Sequence, residues 1–261
     1  MTHSALERRQ RILSEVLEKR HVTARGLAGH LAVSEATVRR DLKALADEGH
    51  IDLVYGGATI RRPVDYSLRS KETRNVEEKR IIGRLAADMV SDGDTVFLDS
   101  GSTALELASL LKRRDRLTVI INSTRLAMEL DSPNLNVVML GGQYRASRMD
   151  TVGRLAMSTL EQLRGYVCFI GADGLDMDIG PSAADIESAD LYRLAVRNAR
   201  KTLLLVDHTK FAAPSLFRIV PWSQISAVVT DCAPRPQWAE FFHTHDIDVI
   251  YPPDSAGGAD K

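Results

Sequence analysis

Five short segments of this 261-residue chain carry the residue types that hold a small anionic or hydroxylated ligand. Asp99-Ser100-Gly101-Ser102-Thr103 sets a carboxylate, a glycine and three hydroxyls ahead of a helical stretch. Glycine lets a backbone approach a ligand closely, and free N–H groups and hydroxyls at a helix start suit phosphate. Asn122-Ser123, Gly141-Gly142, Gly171-Ala172-Asp173-Gly174 and Asp207-His208-Thr209-Lys210 follow other apolar runs in the same way. Any one of them is ordinary turn chemistry, because Gly, Ser and Asp cap helices and shape loops. Five together describe a polar crevice. Lys210 is its candidate phosphate partner, with Thr103 at the helix start, and Asp99 and Asp173 are candidates for sugar hydroxyls. Arg145 and Arg148, just past the Gly-Gly turn, are within reach of an anion, with solvation the plain role for at least one of them.

A second constellation lies near the N-terminus. Read as a helix, Ser34–Leu45 puts Val38, Leu42 and Leu45 on one face, with Ser34 at the N-cap. The opposite face carries Thr37, Arg39, Arg40 and Lys43. Guanidinium groups near a helix start can grip guanine or phosphate with paired bonds, which is major-groove chemistry. A solvated amphipathic helix is the plainer reading, and the flanking segments decide against it. Glu7–Lys19 reads as a helix with Ile12, Leu13, Val16 and Leu17 inward, and Arg8, Arg9 and Arg11 at its start, either solvated or touching phosphate. Thr23 caps a second helix through Leu31, and Ala32-Val33 turns into the Ser34 helix. Such a pair is a helix-turn-helix whose second helix reads DNA. Two strands around Gly56-Gly57 then form a hairpin, placed as a wing beside the reader.

Beyond the wing, residues 61–76 read as a polar linker, and Glu77–Val90 as a helix burying Ile81, Ile82, Leu85, Ala86 and Met89. From Asp94 onward, apolar runs alternate with helical stretches: Thr95–Leu98, Leu117–Ile121, Val137–Leu140, Val167–Ile170, Leu203–Val206, Ile225–Val229 and Val249-Ile250. Continuous apolar strands alternating with helices imply a mostly parallel sheet covered on both faces, with ligands at the strand ends. The expected organisation is therefore a DNA-binding unit over 1–60, a linker over 61–76, an α/β domain over 77–252 and a flexible tail over 253–261.

Composition fits this division. Apolar residues make up 44% and charged residues 26%, as in an ordinary globular protein. The net charge is −1. Residues 1–62 hold 11 Lys and Arg against 8 Asp and Glu, a basic head on a body of net −4. Such a head suits DNA. No apolar run is long enough for a membrane span and no signal-peptide core opens the chain, so a cytoplasmic location is expected. Cys168 and Cys232 form no metal or redox spacing and read as core fillers. No phosphate-loop or dinucleotide fingerprint is present, and neither a cofactor nor a metal is expected.

The dense run Arg8, Ile12, Val16, Ser34, Thr37, Val38, Arg39, Arg40, Asp41 and Leu42 resembles the N-terminal signature of the DeoR family of bacterial sugar-responsive repressors. The family's sensor pattern is matched by Asp99, Gly101, Ser102 and Thr103, by Gly141, Gly142 and Arg145, by Gly171–Gly174, and by Asp207, Thr209 and Lys210. Tyr166, Ile121 and Pro181–Asp185 depart from it. The resemblance implies an α/β chain: a winged helix-turn-helix followed by a mostly parallel sensor domain related to ribose-5-phosphate isomerase. It implies operator DNA read through Ser34, Thr37, Arg39, Arg40, Lys43, Gly56 and Gly57. A phosphorylated sugar would sit among Asp99, Gly101, Ser102, Thr103, Asn122, Gly141, Gly142, Arg145, Asp173 and Lys210. Paired half-sites would call for a homo-oligomer, dimer or tetramer. The alternative is a sugar-phosphate isomerase with a DNA-binding appendage. Catalysis would need a positioned base, and the one histidine in these loops, His208, reads as a solvated loop residue.

Overall fold

The structure is a computed structural model in which residues 5–19, 21–31, 33–47, 51–60 and 68–253 are described. The chain divides into two compact units, with the boundary between Asp65 and Tyr66. In the first, α1 (Ala5–Lys19), β1 (His21–Thr23), α2 (Ala24–Leu31), α3 (Glu35–Asp47), β2 (Ile51–Val54) and β3 (Gly57–Ile60) follow in order. Ile12, Val16, Leu27, Val38, Leu42, Leu45, Ile51 and Ala58 make its core. Both helix starts are capped as their sequences imply. Thr23 Oγ1 accepts the Gly26 N–H at 3.1 Å and Ser34 Oγ accepts the Thr37 N–H at 3.2 Å.

Three details of this unit differ from the sequence reading. The wing turn is Tyr55-Gly56 rather than Gly56-Gly57, because Val54 pairs with Gly57. Gly56 supplies the turn's positive φ of 78°. Gly57 lies inside β3, between β2 and the unforeseen β1, in a three-stranded antiparallel sheet of order β1-β3-β2. A Cβ at position 57 would stand 1.9 Å from the Val22 carbonyl oxygen. Arg8 and Arg9, expected to be solvated or on phosphate, donate instead to Asp41, Arg8 Nε at 2.6 Å and Arg9 Nε at 3.4 Å. Asp41 is buried, and this pairing ties α1 to the base of α3.

The second unit comprises α4 (Leu68–Glu72), α5 (Val76–Ala87), β4 (Thr95–Leu98), α6 (Ser102–Leu111), β5 (Leu117–Ile121), α7 (Thr124–Glu129), β6 (Leu135–Met139), β7 (Gln143–Arg145), β8 (Asp150–Val152) and α8 (Arg154–Leu160). It continues through β9 (Val167–Gly171), β10 (Gly174–Asp176), β11 (Gly180–Ala183), α9 (Ile186–Asn198), β12 (Lys201–Leu205), β13 (Phe217–Arg218), β14 (Ala227–Val229), α10 (Pro236–Thr244) and β15 (Asp248–Ile250). Seven strands form one sheet of order β15-β14-β12-β9-β4-β5-β6, every neighbour parallel. Two apolar clusters cover its faces. One is built around Phe97, Tyr166, Trp222 and Phe242, the other around Leu98, Leu107, Phe169 and Leu205.

The chain runs from β4 outward to β6 and then returns to the other side of β4 through β9, β12, β14 and β15. The order therefore reverses between β4 and β9, where a parallel α/β sheet opens a crevice at its strand ends. Beside this sheet stand an antiparallel β7–β8 hairpin and a three-stranded sheet β10-β11-β13. The apolar periodicity did not announce either. The linker expected over 61–76 is also shorter on its C-terminal side. Leu68 is buried, its N–H donates to the Ser147 carbonyl at 3.1 Å, and α4 belongs to the second unit. Residues 61–67, Ala32 and the tail 254–261 lie outside the described residues.

Gly57→Ala should disrupt the three-stranded sheet, because the new methyl meets the backbone of β1 at Val22 and Thr23. Overpacking costs about 1–3 kcal/mol, which for a unit of this size lowers the melting midpoint by roughly 5–20 °C. Calorimetry of the full chain should show the N-terminal transition shifted and the C-terminal one in place. An unshifted N-terminal transition would contradict the register.

Candidate effector site and DNA-reading face

In the first unit, Val38, Leu42 and Leu45 hold the inner face of α3 in the core, so Arg39, Arg40 and Lys43 stand exposed on its outer side. Arg39 donates to Glu35 Oε2 at 3.3 Å, one turn back. Arg40 and Lys43 have no ion pair among the described residues, and present two unneutralised cations from one helix. Thr37 is half-buried and shares a 2.9 Å hydroxyl contact with Ser34. Of the wing glycines, Gly56 sits at the exposed tip beside the exposed Tyr55. Gly57 serves the sheet.

In the second unit the strand-end segments meet at the switch point through Asp99. This carboxylate is 2% exposed and lies between two loops. Its Oδ1 accepts the Gly101 N–H at 2.9 Å, and its Oδ2 accepts the Gly171 N–H at 2.6 Å. Burial pushes its pKa up, against the pull of these two N–H groups and of Lys71. Both oxygens are thus committed to shaping the crevice. Gly101 and Gly171 lie close against the carboxylate: a Cβ on either would approach an Asp99 oxygen to 3.0 and 3.2 Å.

Around this clamp the structure assembles a cationic group that sequence reasoning only partly identified. Lys71 of α4 pairs with Asp173 after β9. Asp173 also accepts the Ala184 N–H at 2.8 Å, which fixes β11 beside the crevice. Burial pulls the Lys71 ammonium below its ordinary lysine value; Asp173 opposes this, while Arg148 and Lys210 add repulsion. Lys79 of α5 donates to the Lys71 and Arg74 carbonyls and so closes the α4–α5 connection. Its pKa too is lowered by burial, with Asp207 opposing and Lys210 and Lys71 reinforcing. At Asn75, the N-cap of α5, φ is 50° and Nδ2 donates to Asp207 Oδ1 at 3.0 Å and Thr209 Oγ1 at 3.2 Å. The sequence reading places Lys71 and Asn75 in the linker and Lys79 on a helix read only for its apolar face, so none of the three stands out as a site residue.

Lys210 follows β12 and has no ion pair among the described residues, although it lies within electrostatic reach of Lys71 and Lys79. Thr103 and the buried Ser102 open α6, whose N-cap Gly101 offers no side-chain cap. The strands leading to these groups, β4 and β12, are separated by one strand, hence by about 10 Å. Lys210 can span much of that distance. Asn122 is buried; Nδ2 donates to the Thr151 carbonyl at 2.9 Å, while Oδ1 lacks a partner among the described residues.

Arg145 is placed differently from the sequence expectation. It grips Asp150 with two bonds, Nε at 2.9 Å and Nη2 at 2.7 Å, and Nη1 reaches Asp185 at 2.7 Å. Nη2 also donates to Ser188 Oγ at 2.9 Å. The fully buried Asp150 further accepts from Ser100 Oγ at 3.0 Å, which contacts Tyr192. Arg148 pairs with Asp185 as well. Arg145 is therefore consumed in holding the β7–β8 hairpin on α9. Gly141 is exposed after β6. Gly142 admits the close approach of β8, where a Cβ would meet the Val152 carbonyl at 2.6 Å. The unfamiliar Pro181–Asp185 stretch supplies β11 and then Asp185, which caps α9 through the Ser188 N–H. Tyr166 packs in the core and donates to the Ala195 carbonyl at 2.9 Å. A surface hollow of about 270 Å³ lies at the opposite ends of the strands, beside Lys201 at the start of β12 and Ser226 before β14.

A winged helix-turn-helix followed by a parallel α/β unit is the architecture of a two-domain transcriptional regulator. Residues 8–64 match the family model of the DeoR-like helix-turn-helix domain, and residues 74–232 match that of the DeoR C-terminal sensor domain. The HTH-type transcriptional regulator GolR of Listeria innocua is 34% identical over 86% of this chain and 90% of its own. The lactose phosphotransferase system repressor of Lactococcus lactis is 32% identical over 85% and 89%. The glycerol-3-phosphate regulon repressor of Escherichia coli K12 is 27% identical over 93% and 97%. The chain belongs to the DeoR family of transcriptional regulators. These relatives are regulators and not enzymes, which sets aside the isomerase alternative. A ribose-5-phosphate isomerase A from Methanocaldococcus jannaschii overlaps 53% of this chain and 55% of its own at a TM-score of 0.40 and 20% identity. Among the described residues no helix is long and apolar enough to cross a membrane.

Arg145→Ala strips the buried Asp150 of its two-bond partner, with only Arg148 Nε left at 3.9 Å, which costs up to about 3–5 kcal/mol. Chemical denaturation of the second unit should show that loss; a change below about 1 kcal/mol would return Arg145 to the list of ligand contacts. Acid should act through Asp185. Burial pushes its pKa up, but the Ser188 N–H, Arg145 and Arg148 outweigh this and hold it below the ordinary 3.8. A depressed carboxylate stabilises the fold fully above its unfolded value, and that contribution disappears as pH falls through the lower folded value. The acid limb of the stability curve should therefore be shallower in Asp185→Asn than in the parent. Parallel limbs would exclude this linkage.

Proposed function

We propose that the protein is a transcriptional repressor of a carbohydrate-utilisation operon, controlled by a phosphorylated sugar bound at the strand ends of its sensor domain. One observation carries the effector reading: Lys71, Lys79 and Lys210 lie within electrostatic reach of one another, and Lys71 also reaches Asp99, which bonds the Gly101 N–H at the uncapped start of α6. Gathering like charges costs free energy, and a doubly charged phosphate offsets that cost on binding. The names of the lactose phosphotransferase system and glycerol-3-phosphate regulon repressors concern phosphorylated or phosphotransferase-imported carbon sources. They favour the same class of effector.

In this reading Thr103 and the α6 N–H groups take phosphate oxygens, and Lys210 supplies a point charge. Asp99 sets the loops. The orphan Asn122 carbonyl is the group left to accept from a sugar hydroxyl. On DNA, Arg40 and Lys43 of α3, joined by Arg39 and Thr37, contact bases and phosphates, with Gly56 and Tyr55 at the wing. A single reader helix offers few base contacts, so we infer a homo-oligomer, dimer or tetramer, on paired half-sites. The effector would lower operator affinity by favouring an arrangement that no longer matches half-site spacing. Such coupling is typically about 1–3 kcal/mol, roughly 5–150-fold.

The test is operator affinity with and without phosphorylated sugars, for parent and variants. Lys210→Ala should bind operator as the parent does and lose its response to the effector. An undiminished response would remove Lys210 from the site. Arg40→Ala should weaken operator binding by about 1–3 kcal/mol while the effector still binds. Unchanged operator affinity would show that α3 is not the reader.

A further inference from the structure

Three side chains that the effector reading leaves unused converge at the ends of β12 and β14. His208 follows β12, and Asp231 and Cys232 follow β14. An imidazole nitrogen, a carboxylate oxygen and the thiol sulfur all lie within 4.8 Å of one another. The Asp231 carboxylate is buried, 8% exposed as a residue, whereas the His208 side chain is 51% exposed and Cys232 is half-buried with a free thiol. Asp231 Oδ1 accepts the His208 backbone N–H at 2.7 Å, and Oδ2 lies 2.7 Å from His208 Nδ1. The thiol sulfur lies within 4.8 Å of the same carboxylate. Burial, Asp231 and Glu78 of α5 together push its pKa up.

The sequence reading made Cys232 a core filler and His208 a solvated loop residue. Their placement says otherwise. No lysine or arginine pairs with Asp231 among the described residues. This buried carboxylate is instead met by an imidazole and a thiol, two groups that exchange a proton for a metal. A plain His–Asp pair capping the 3-10 turn His208–Ala212 would account for two of the three residues. It gives no reason for a thiol within 4.8 Å of both groups.

We infer that His208, Asp231 and Cys232 form a binding site for a divalent cation of the zinc class, with water completing the shell. Imidazole, thiolate and carboxylate suit a borderline ion such as Zn²⁺, whereas Ca²⁺ and Mg²⁺ take oxygen ligands. His208 coordinates through Nδ1, Asp231 through Oδ2 and Cys232 through Sγ. On binding, the thiol proton leaves to solvent and the imidazole proton shifts from Nδ1 to Nε2; no electron is transferred. Bonds of about 2.0–2.3 Å set tetrahedral ligand atoms roughly 3.3–3.8 Å apart. The exposed imidazole and the thiol reach that spacing by side-chain rotation. His208 opens the turn that carries Thr209 and Lys210, so the cation would anchor the loop assigned to phosphate. The site itself is independent of the effector reading.

Metal-stripped full-length protein, kept reduced with a phosphine, is titrated with Co²⁺ without sugar. One equivalent should produce near-ultraviolet thiolate-to-cobalt charge transfer with visible bands of a tetrahedral ion, both abolished by Zn²⁺. Cys232→Ser should lose the charge-transfer band, and Cys168→Ala should keep it. His208→Ala, altered at an exposed side chain and checked by circular dichroism, should bind Co²⁺ at least roughly tenfold more weakly. Absence of the band at saturation, its persistence in Cys232→Ser, or unchanged affinity in His208→Ala would each overturn the assignment.

Discussion

The second unit depends on a charge that it buries on purpose. Asp99 stands where the sheet changes direction, and a carboxylate there is costly unless fully bonded. Two backbone N–H groups, from the loop after β4 and from the last residue of β9, meet that need. In doing so they fix the course of both loops. At Gly101 and Gly171 a Cβ would crowd the carboxylate, at 3.0 and 3.2 Å. With the loops set, α6 begins without a side-chain cap, Asp173 is placed to receive Lys71, and α4 is tied to the sheet edge. The crevice is a consequence of satisfying one buried acid.

The remaining charges divide into two groups with different work. Arg145, Arg148, Asp150, Asp185 and Ser188 form a closed network in which donors and acceptors match, so it holds the β7–β8 hairpin against α9. Lys71, Lys79 and Lys210 form an open one. Two of them are tethered, by Asp173 and by backbone carbonyls, and the third has no ion pair among the described residues. A closed network stabilises; an open one is prepared for a ligand. This distinction, rather than residue type, separates Arg145 from Lys210.

Much of this was legible before any coordinates. The strands Thr95–Leu98 and Leu117–Ile121 were readable to the residue because apolar runs bounded by Asp, Gly and Asn leave little choice. The α3 face was equally plain from its 3.6-residue period. The missed parts share a physical reason. α4 is five residues long, and Asn75 adopts a left-handed conformation that Asn tolerates without advertising it. β10, β11 and β13 have two to four residues, with Gly180-Pro181 among them, too short for alternation to show. The pairing of Arg145 with Asp185 and Ser188 is not legible because these partners lie some 40 residues away, and sequence spacing carries no sign of such pairings. The same holds for His208 and Asp231.

The central claim is that the segment entering the sensor domain is part of the effector site, through Lys71, Asn75 and Lys79. Amide hydrogen exchange over residues 68–79, with and without a phosphorylated sugar that relieves operator binding, tests this most directly. The account predicts slowed exchange in that segment and at the start of α6, with no slowing by the unphosphorylated sugar. Protection confined to other parts of the second unit, with 68–79 unchanged, would contradict it.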